Sequence, residues 1–173
     1  LPDGKHIAEA QPSAVMWSNA ETGLETGRYN WSLATQPRVL TARVQVATAK
    51  DPSLIAYSGP SHDIQVWNIP QKRSMAVFRG HTMHIGCLVF SLDDKRLASA
   101  SSDQTIRIWE FDQPVEYRSF GSWNQLAVDM ALSPDGEFVA AIPNIHSQQT
   151  KQNTIRVWNL RDGSVVGDLC GIG

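Results

Sequence analysis

The 173-residue sequence predicts an all-β chain built from four repeated antiparallel sheets. Three observations predict it. Residues 80–110, GHTMHIGCLVFSLDDKRLASASSDQTIRIWE, hold three short apolar or alternating runs separated by turn residues. The same order of turn, apolar strand and terminal tryptophan returns elsewhere in the chain, at a nearly constant spacing. No stretch carries the periodicity of a convincing helix.

Within this stretch, residues 85–90 and 96–100 are small, apolar or β-branched, and Leu92, Asp93, Asp94 and Lys95 between them supply turn chemistry. In residues 104–110, Ile106 and Ile108 alternate with Thr105, Arg107 and Trp109, a period of two. Such a meander is too small to fold alone. Aligned on the turn and the tryptophan, SLDDKRLASASSDQTIRIW matches SPDGEFVAAIPNIHSQQTKQNTIRVW at 133–158, AKDPSLIAYSGPSHDIQVW at 49–67 and LPDGKHIAEAQPSAVMW at 1–17. The turns begin at Leu1, Ala49, Ser91 and Ser133, giving spacings of 48, 42 and 42. A period near 42 that ends a third strand on Trp17, Trp67, Trp109 and Trp158 is the signature of a four-stranded propeller blade. Fourth strands follow at 74–78, 115–120 and 165–169, with 27–30 as the weaker counterpart in the first unit.

The stretch at 80–110 resembles a complete unit of the WD-repeat family, with Gly80 and His81 as the glycine-histidine pair and Ser99, Asp103 and Trp109 at the matching places. The resemblance extends over essentially all of the chain. It implies a β-propeller segment of four-stranded antiparallel blades, with units near 1–30, 31–79, 80–120 and 121–173. Leu1 already lies inside a turn motif, so the expectation is an open arc, an incomplete ring of about three and a half blades. Its exposed edges and apolar faces would favour association.

Taken in order, the first unit offers strands near 6–8 and 14–18. A surplus of eight residues, near 31–38, precedes the next sheet, and Pro37 bars it from a central ladder position. The second unit restarts at 39–48 and continues through 54–58 and 63–68 to a loop at 69–73. In the fourth, 126–132 and 137–142 are strands, and residues 143–153 add seven positions before the strand at 154–159.

Composition limits the function. With 42% hydrophobic and 18% charged residues the chain is globular. Fifteen Lys and Arg against seventeen Asp and Glu give a net charge of −2, so no basic field attracts nucleic acid or an anionic membrane. No apolar run approaches the roughly 20 residues of a membrane-spanning helix. Cys87 and Cys170 are too few for a disulfide framework, and Cys87 falls in an apolar strand. The cytoplasm is the expected compartment, an expectation that rests on no targeting motif.

His81, Ser99 and Asp103 are the parts of a nucleophilic triad. Their context argues otherwise, because the Asp lies in a turn, the Ser within a strand and Trp109 on the neighbouring strand. At these places the WD-repeat resemblance implies a structural chain of hydrogen bonds, from the Trp109 indole to Ser99, then His81, then Asp103. The other units depart from it. Gln11, Ser61 and Gln152 hold the place of Asp103, and Ser18, Asn68, Glu110 and Asn159 replace the aspartate of the family's Trp-Asp pair. Metal ligation by His81, His84 and Cys87 is disfavoured, since offsets of three put strand neighbours on opposite faces. No glycine-rich loop precedes a helix to cradle a nucleotide.

The function expected is a non-catalytic protein-interaction scaffold, with no metal, cofactor or small-molecule substrate. The rival is the propeller portion of an enzyme, or a regulatory propeller fused to a catalytic domain. Trp31 and Trp123 are not repeat tryptophans, and both length anomalies emerge at the end of the sheets that carries the turns after the second and fourth strands. Trp31, Arg38, Trp123, His146, Gln148 and Lys151 are therefore the candidate contacts for a protein partner.

Overall fold

The structure, a computed structural model, describes residues 4–11, 14–30, 44–59, 61–111, 117–120, 127–143 and 154–170. Among these residues every regular element is a strand. The first sheet holds β1 (His6–Gln11), β2 (Ala14–Asn19) and β3 (Glu25–Asn30). The second holds β4 (Val46–Thr48), β5 (Leu54–Ser58), β6 (Ile64–Asn68) and β7 (Arg73–Phe78). The third holds β8 (Ile85–Phe90), β9 (Arg96–Ser101), β10 (Ile106–Glu110) and β11 (Tyr117–Phe120). The fourth holds β12 (Ala127–Leu132), β13 (Phe138–Pro143), β14 (Thr154–Asn159) and β15 (Val165–Cys170). Each sheet is an antiparallel meander in chain order. β1 runs on to Gln11 and β3 begins at Glu25, both longer than the sequence pattern marks.

Period two explains how one strand serves two cores. In β9 and β10, Leu97 and Trp109 point to the second sheet, where they join Ala47, Ala56, Ile64, Val66 and Phe78. The alternate residues Ala98, Ala100, Ile106 and Ile108 point to the fourth, against Met130, Val139, Ala141 and Trp158. β5 divides likewise, with Ala56 toward the third sheet and Ile55 and Tyr57 in a cluster with Trp67 and Trp17. The third sheet is thus covered on both faces, and each fully buried Ile or Leu there contributes on the order of 1.5–3 kcal/mol. β8 packs against both β4 and β12, so the first strands of successive sheets are neighbours. The last strands β7 and β15 are largely exposed. Beside Trp17, Trp67 and Trp158 the ladder skips one residue of the last strand, namely Thr26, Met75 and Val166. These bulges bend the outer strand and turn the skipped residue outward, leaving Met75 48% and Val166 58% exposed.

The first sheet differs in register. Ile55, Leu97 and Val139 stand opposite Trp67, Trp109 and Trp158, and each is at most 1% exposed. In the alignment Ile7 has this place, yet Ala8 pairs with Trp17, and Ile7 is 56% exposed opposite Ser18. The observed register goes with a shorter turn. Only residues 12 and 13 separate Gln11 from its partner Ala14, the shortest connection that hairpins commonly use. Placing Ile7 opposite Trp17 would end the ladder at Ala10 and Ala14 and need a three-residue turn, a less common hairpin connection than two residues. A slip of one position reverses every side chain of a strand, and here it also leaves Glu9, which stands at the place of Ser99, exposed rather than facing the core.

The sheets are also pinned at their turns. Asp94, in the β8–β9 turn with φ +57°, accepts hydrogen bonds from the backbone N–H groups of Lys50 (2.8 Å) and Asp51 (2.7 Å) in the β4–β5 turn. Aspartate tolerates this left-handed backbone better than most side chains do.

Candidate functional site

The β7–β8 connection supplies His81, β9 supplies Ser99, the β9–β10 turn supplies Asp103 and β10 supplies Trp109. The turn is tight because Gln104, at φ +67°, lets its N–H reach the Ser101 carbonyl at 3.1 Å. The Trp109 indole Nε1–H donates to Ser99 Oγ at 2.8 Å. Ser99 Oγ lies 2.7 Å from His81 Nε2, and His81 Nδ1 lies 2.7 Å from Asp103 Oδ2. A carboxylate only accepts, so Nδ1 carries the proton, Nε2 accepts from the serine hydroxyl, and the donors run in one direction from Trp109 to Asp103.

Asp103 holds further bonds. Its Oδ1 accepts from the Thr105 N–H (3.0 Å) and hydroxyl (2.6 Å), and its Oδ2 also accepts from the Thr82 N–H (3.1 Å). Burial alone would raise its pKa, but the bonds from Thr105, His81 and Thr82 together hold it at about 2. Burial keeps the His81 imidazole below its ordinary value, against the pull of the Asp103 carboxylate. The ring therefore sits neutral beside an ionised acid at neutral pH. Ser99 is 0% and Trp109 1% exposed. Around this line, His81 meets the Trp109 ring edge-on at 5.9 Å, and Phe78 from β7 stacks on Trp109 at 5.2 Å.

Two participants are not apparent from spacing to the tryptophan. Thr105 bonds Asp103, and Arg107, buried in β10, donates from Nε to Thr105 Oγ1 at 3.2 Å and lies 6.0 Å from the Trp109 ring centre. Thr105 carries a readable signal, since a hydroxyl residue two positions after a turn aspartate is placed to bond it. Arg107 carries none, because an arginine alternating with isoleucines reads as a solvent-facing residue until a neighbouring sheet covers it.

The other sheets lack the full set. Tyr57 takes the place of Ser99 in the second, donating its hydroxyl to Gln65 at 2.7 Å, and Ala141 takes it in the fourth. Trp17 and Trp67 share one cluster, while Trp158 belongs to the interface of the third and fourth sheets. Among the described residues no three His, Cys, Asp or Glu side chains gather as a metal site, and no helix is long and apolar enough to cross a membrane. Trp31, Arg38, Trp123, His146, Gln148 and Lys151 lie outside the described residues.

Four-stranded meanders with a tryptophan on each third strand define a β-propeller repeat protein. Residues 72–110 match the family described as WD domain, G-beta repeat. The chain is 34% identical over 134 residues to Periodic tryptophan protein 2 of Saccharomyces cerevisiae, covering 75% of this chain and 14% of that protein. It is 28% identical over 127 residues to Periodic tryptophan protein 2 of Arabidopsis thaliana, covering 73% of this chain and 13% of that protein. Apoptotic protease-activating factor 1 of Rattus norvegicus aligns over 170 residues at 26% identity, covering 97% of this chain and 12% of that protein. The chain belongs to the WD-repeat family. It spans only about one seventh of the length of the first two relatives.

Proposed function

We propose that the chain is a non-catalytic scaffold that binds protein partners through the variable connections between its sheets. One observation carries the non-catalytic part: Ser99, the hydroxyl at His81 Nε2, is 0% exposed, and its oxygen is engaged by Trp109 on one side and His81 on the other. A catalytic serine needs an exposed oxygen and room for a substrate carbonyl. The partner surface is proposed at the end of the sheets that carries the β5–β6 and β13–β14 connections, with Trp31, Arg38, Trp123, His146, Gln148 and Lys151 as contacts. Membership of a family whose members generally mediate protein contacts supports this reading.

The test has two arms. A fluorophosphonate probe should leave Ser99 unlabelled in the folded protein, and Ser99→Ala should lower the melting temperature without removing any hydrolytic activity. Trp123→Ala, and shortening of residues 143–153 to the length of the β9–β10 turn, should weaken capture of a partner recovered by pull-down. Labelling of Ser99, or full capture by both variants, would overturn the corresponding part.

A further inference from the structure

The register slip of β1 has a spatial counterpart between the first and second sheets. Trp17 has Ala8 opposite it on one side and Gly27 on the other, two of the smallest residues, where later sheets place Ile55, Leu97 or Val139 beside the tryptophan. The Trp17 indole lies across Gly27 so closely that a Cβ there would overlap it. A cleft of about 450 Å³ remains, lined by Trp17, Gly27, Arg28, Trp67, Ile69 and Lys72. A second compartment of about 320 Å³ shares Trp17, Thr26, Ile69 and Pro70 with it and extends to His6, Pro52 and Ser53. Together they form one groove in the range of ligand-binding cavities, roughly 300–1,000 Å³. Because successive turns of a meander alternate between its ends, the β4–β5 and β6–β7 turns that border the groove lie opposite the end proposed above for partner contacts.

Its chemistry selects the occupant. The walls are indole, isoleucine and proline, which favour an apolar side chain. The cations are at one end only. Arg28 is held by Glu25 through bonds of 3.1 and 2.9 Å, whereas no carboxylate among the described residues pairs with Lys72, which also lines this cleft. Two cations disfavour a cationic guest despite the tryptophans. With Trp17 and Trp67 each only 9% exposed, neither offers a free face for a nucleic-acid base to stack on.

We propose that this groove is a docking site for an extended peptide segment of a protein partner, one apolar side chain seated against Ile69 and Pro70 at the rim of the tryptophan cluster and the carboxylates that follow it directed to Lys72. The site goes beyond the scaffold reading and stands or falls separately from it, since it lies at the other end of the sheets and is tested with a defined peptide.

The probe is a terminally blocked hexapeptide with one leucine followed by two aspartates, titrated into the full chain and followed by tryptophan fluorescence. Its counterpart with two lysines, a glycine-serine hexapeptide and a thymidine oligonucleotide serve as comparisons. Saturable binding of the acidic peptide alone is expected. Lys72→Glu should weaken it about fivefold or more. Thr26→Trp, which fills the part shared by both compartments, should abolish it with the circular dichroism unchanged. Absence of saturable binding, equal binding of the glycine-serine peptide, preference for the oligonucleotide, or an affinity unchanged in both variants would each overturn the proposal.

Discussion

Arg96 Nη1 donates a hydrogen bond of 2.7 Å to the backbone carbonyl of Gly136, joining the first residue of β9 to the β12–β13 turn of the next sheet. With the bonds from Lys50 and Asp51 to Asp94, the corresponding turns of three consecutive sheets are tied in series. Gly136 has φ +66°, and a Cβ there would meet the Arg96 guanidinium. Gly136→Ala should therefore cost about 2 kcal/mol, from left-handed strain and the displaced arginine. A urea unfolding midpoint that does not move would contradict this role.

Removing the acceptor of the buried line should be as damaging. Asp103→Ala leaves the His81 N–H and the Thr82 N–H without their carboxylate, an expected loss of roughly 1–3 kcal/mol. Calorimetry of Asp103→Ala and Ser99→Ala separates the two, and their double mutant should lose less than the sum, because the residues share one network.

Acid should unfold the protein in two steps of opposite chemical origin. The folded His81 sits below its ordinary value of 6.5, so its contribution is full above that pH and declines as pH falls through 6.5 toward the folded value. Asp103 moves from an ordinary 3.8 to about 2, so its roughly 2 kcal/mol persists above pH 3.8 and is lost as pH falls from there to about 2. Melting temperatures between pH 8 and 2 should show both declines, and Asp103→Ala should shrink the lower one, to which the hydrogen-bonded Asp51, Asp93, Asp135, Asp162 and Asp168 also contribute.

The slipped register makes a conditional prediction. Inserting one residue between Pro12 and Ser13 would let a two-residue turn place Ile7 opposite Trp17, and would bring Glu9 to the tryptophan face. The insertion alone should not stabilise the fold. Combined with Glu9→Ser it should add roughly 1 kcal/mol by burying Ile7, now 56% exposed. Cross-strand nuclear Overhauser contacts between Ile7 and Trp17 would report the new pairing, and their absence would show that turn length does not set it.

Much of the fold is legible because its signals are local. The turn residues and the alternation in 54–58, 85–90 and 154–159 mark β5, β8 and β14 at their observed bounds. His81, Ser99, Asp103 and Trp109 stand out by their place in one repeat, and the structure bonds Trp109 to Ser99, Ser99 to His81 and His81 to Asp103. What escapes the sequence is relational. The pairing of Ala8 with Trp17 depends on how a two-residue turn competes with core burial. The burial of Arg107 and the bonds of Asp94 and Arg96 depend on neighbouring sheets some forty residues away along the chain. The proposed contacts from Trp31 to Lys151 depend on connections that alternation does not describe.

Because odd and even positions of each inner strand belong to different interfaces, the sheets resemble spins on a line more than shells around a centre. Each gains stability from its two neighbours and almost nothing from the sheet beyond, so cooperativity is a nearest-neighbour property that the interface terms set. The third sheet, covered on both sides and carrying the intact hydrogen-bonded line, has the strongest couplings in both directions. Amide hydrogen exchange should accordingly be slowest in β9 and β10 and quicken outward along the array, with the first sheet, joined to the second through the small Trp17 cluster beside a groove, opening at the lowest free energy.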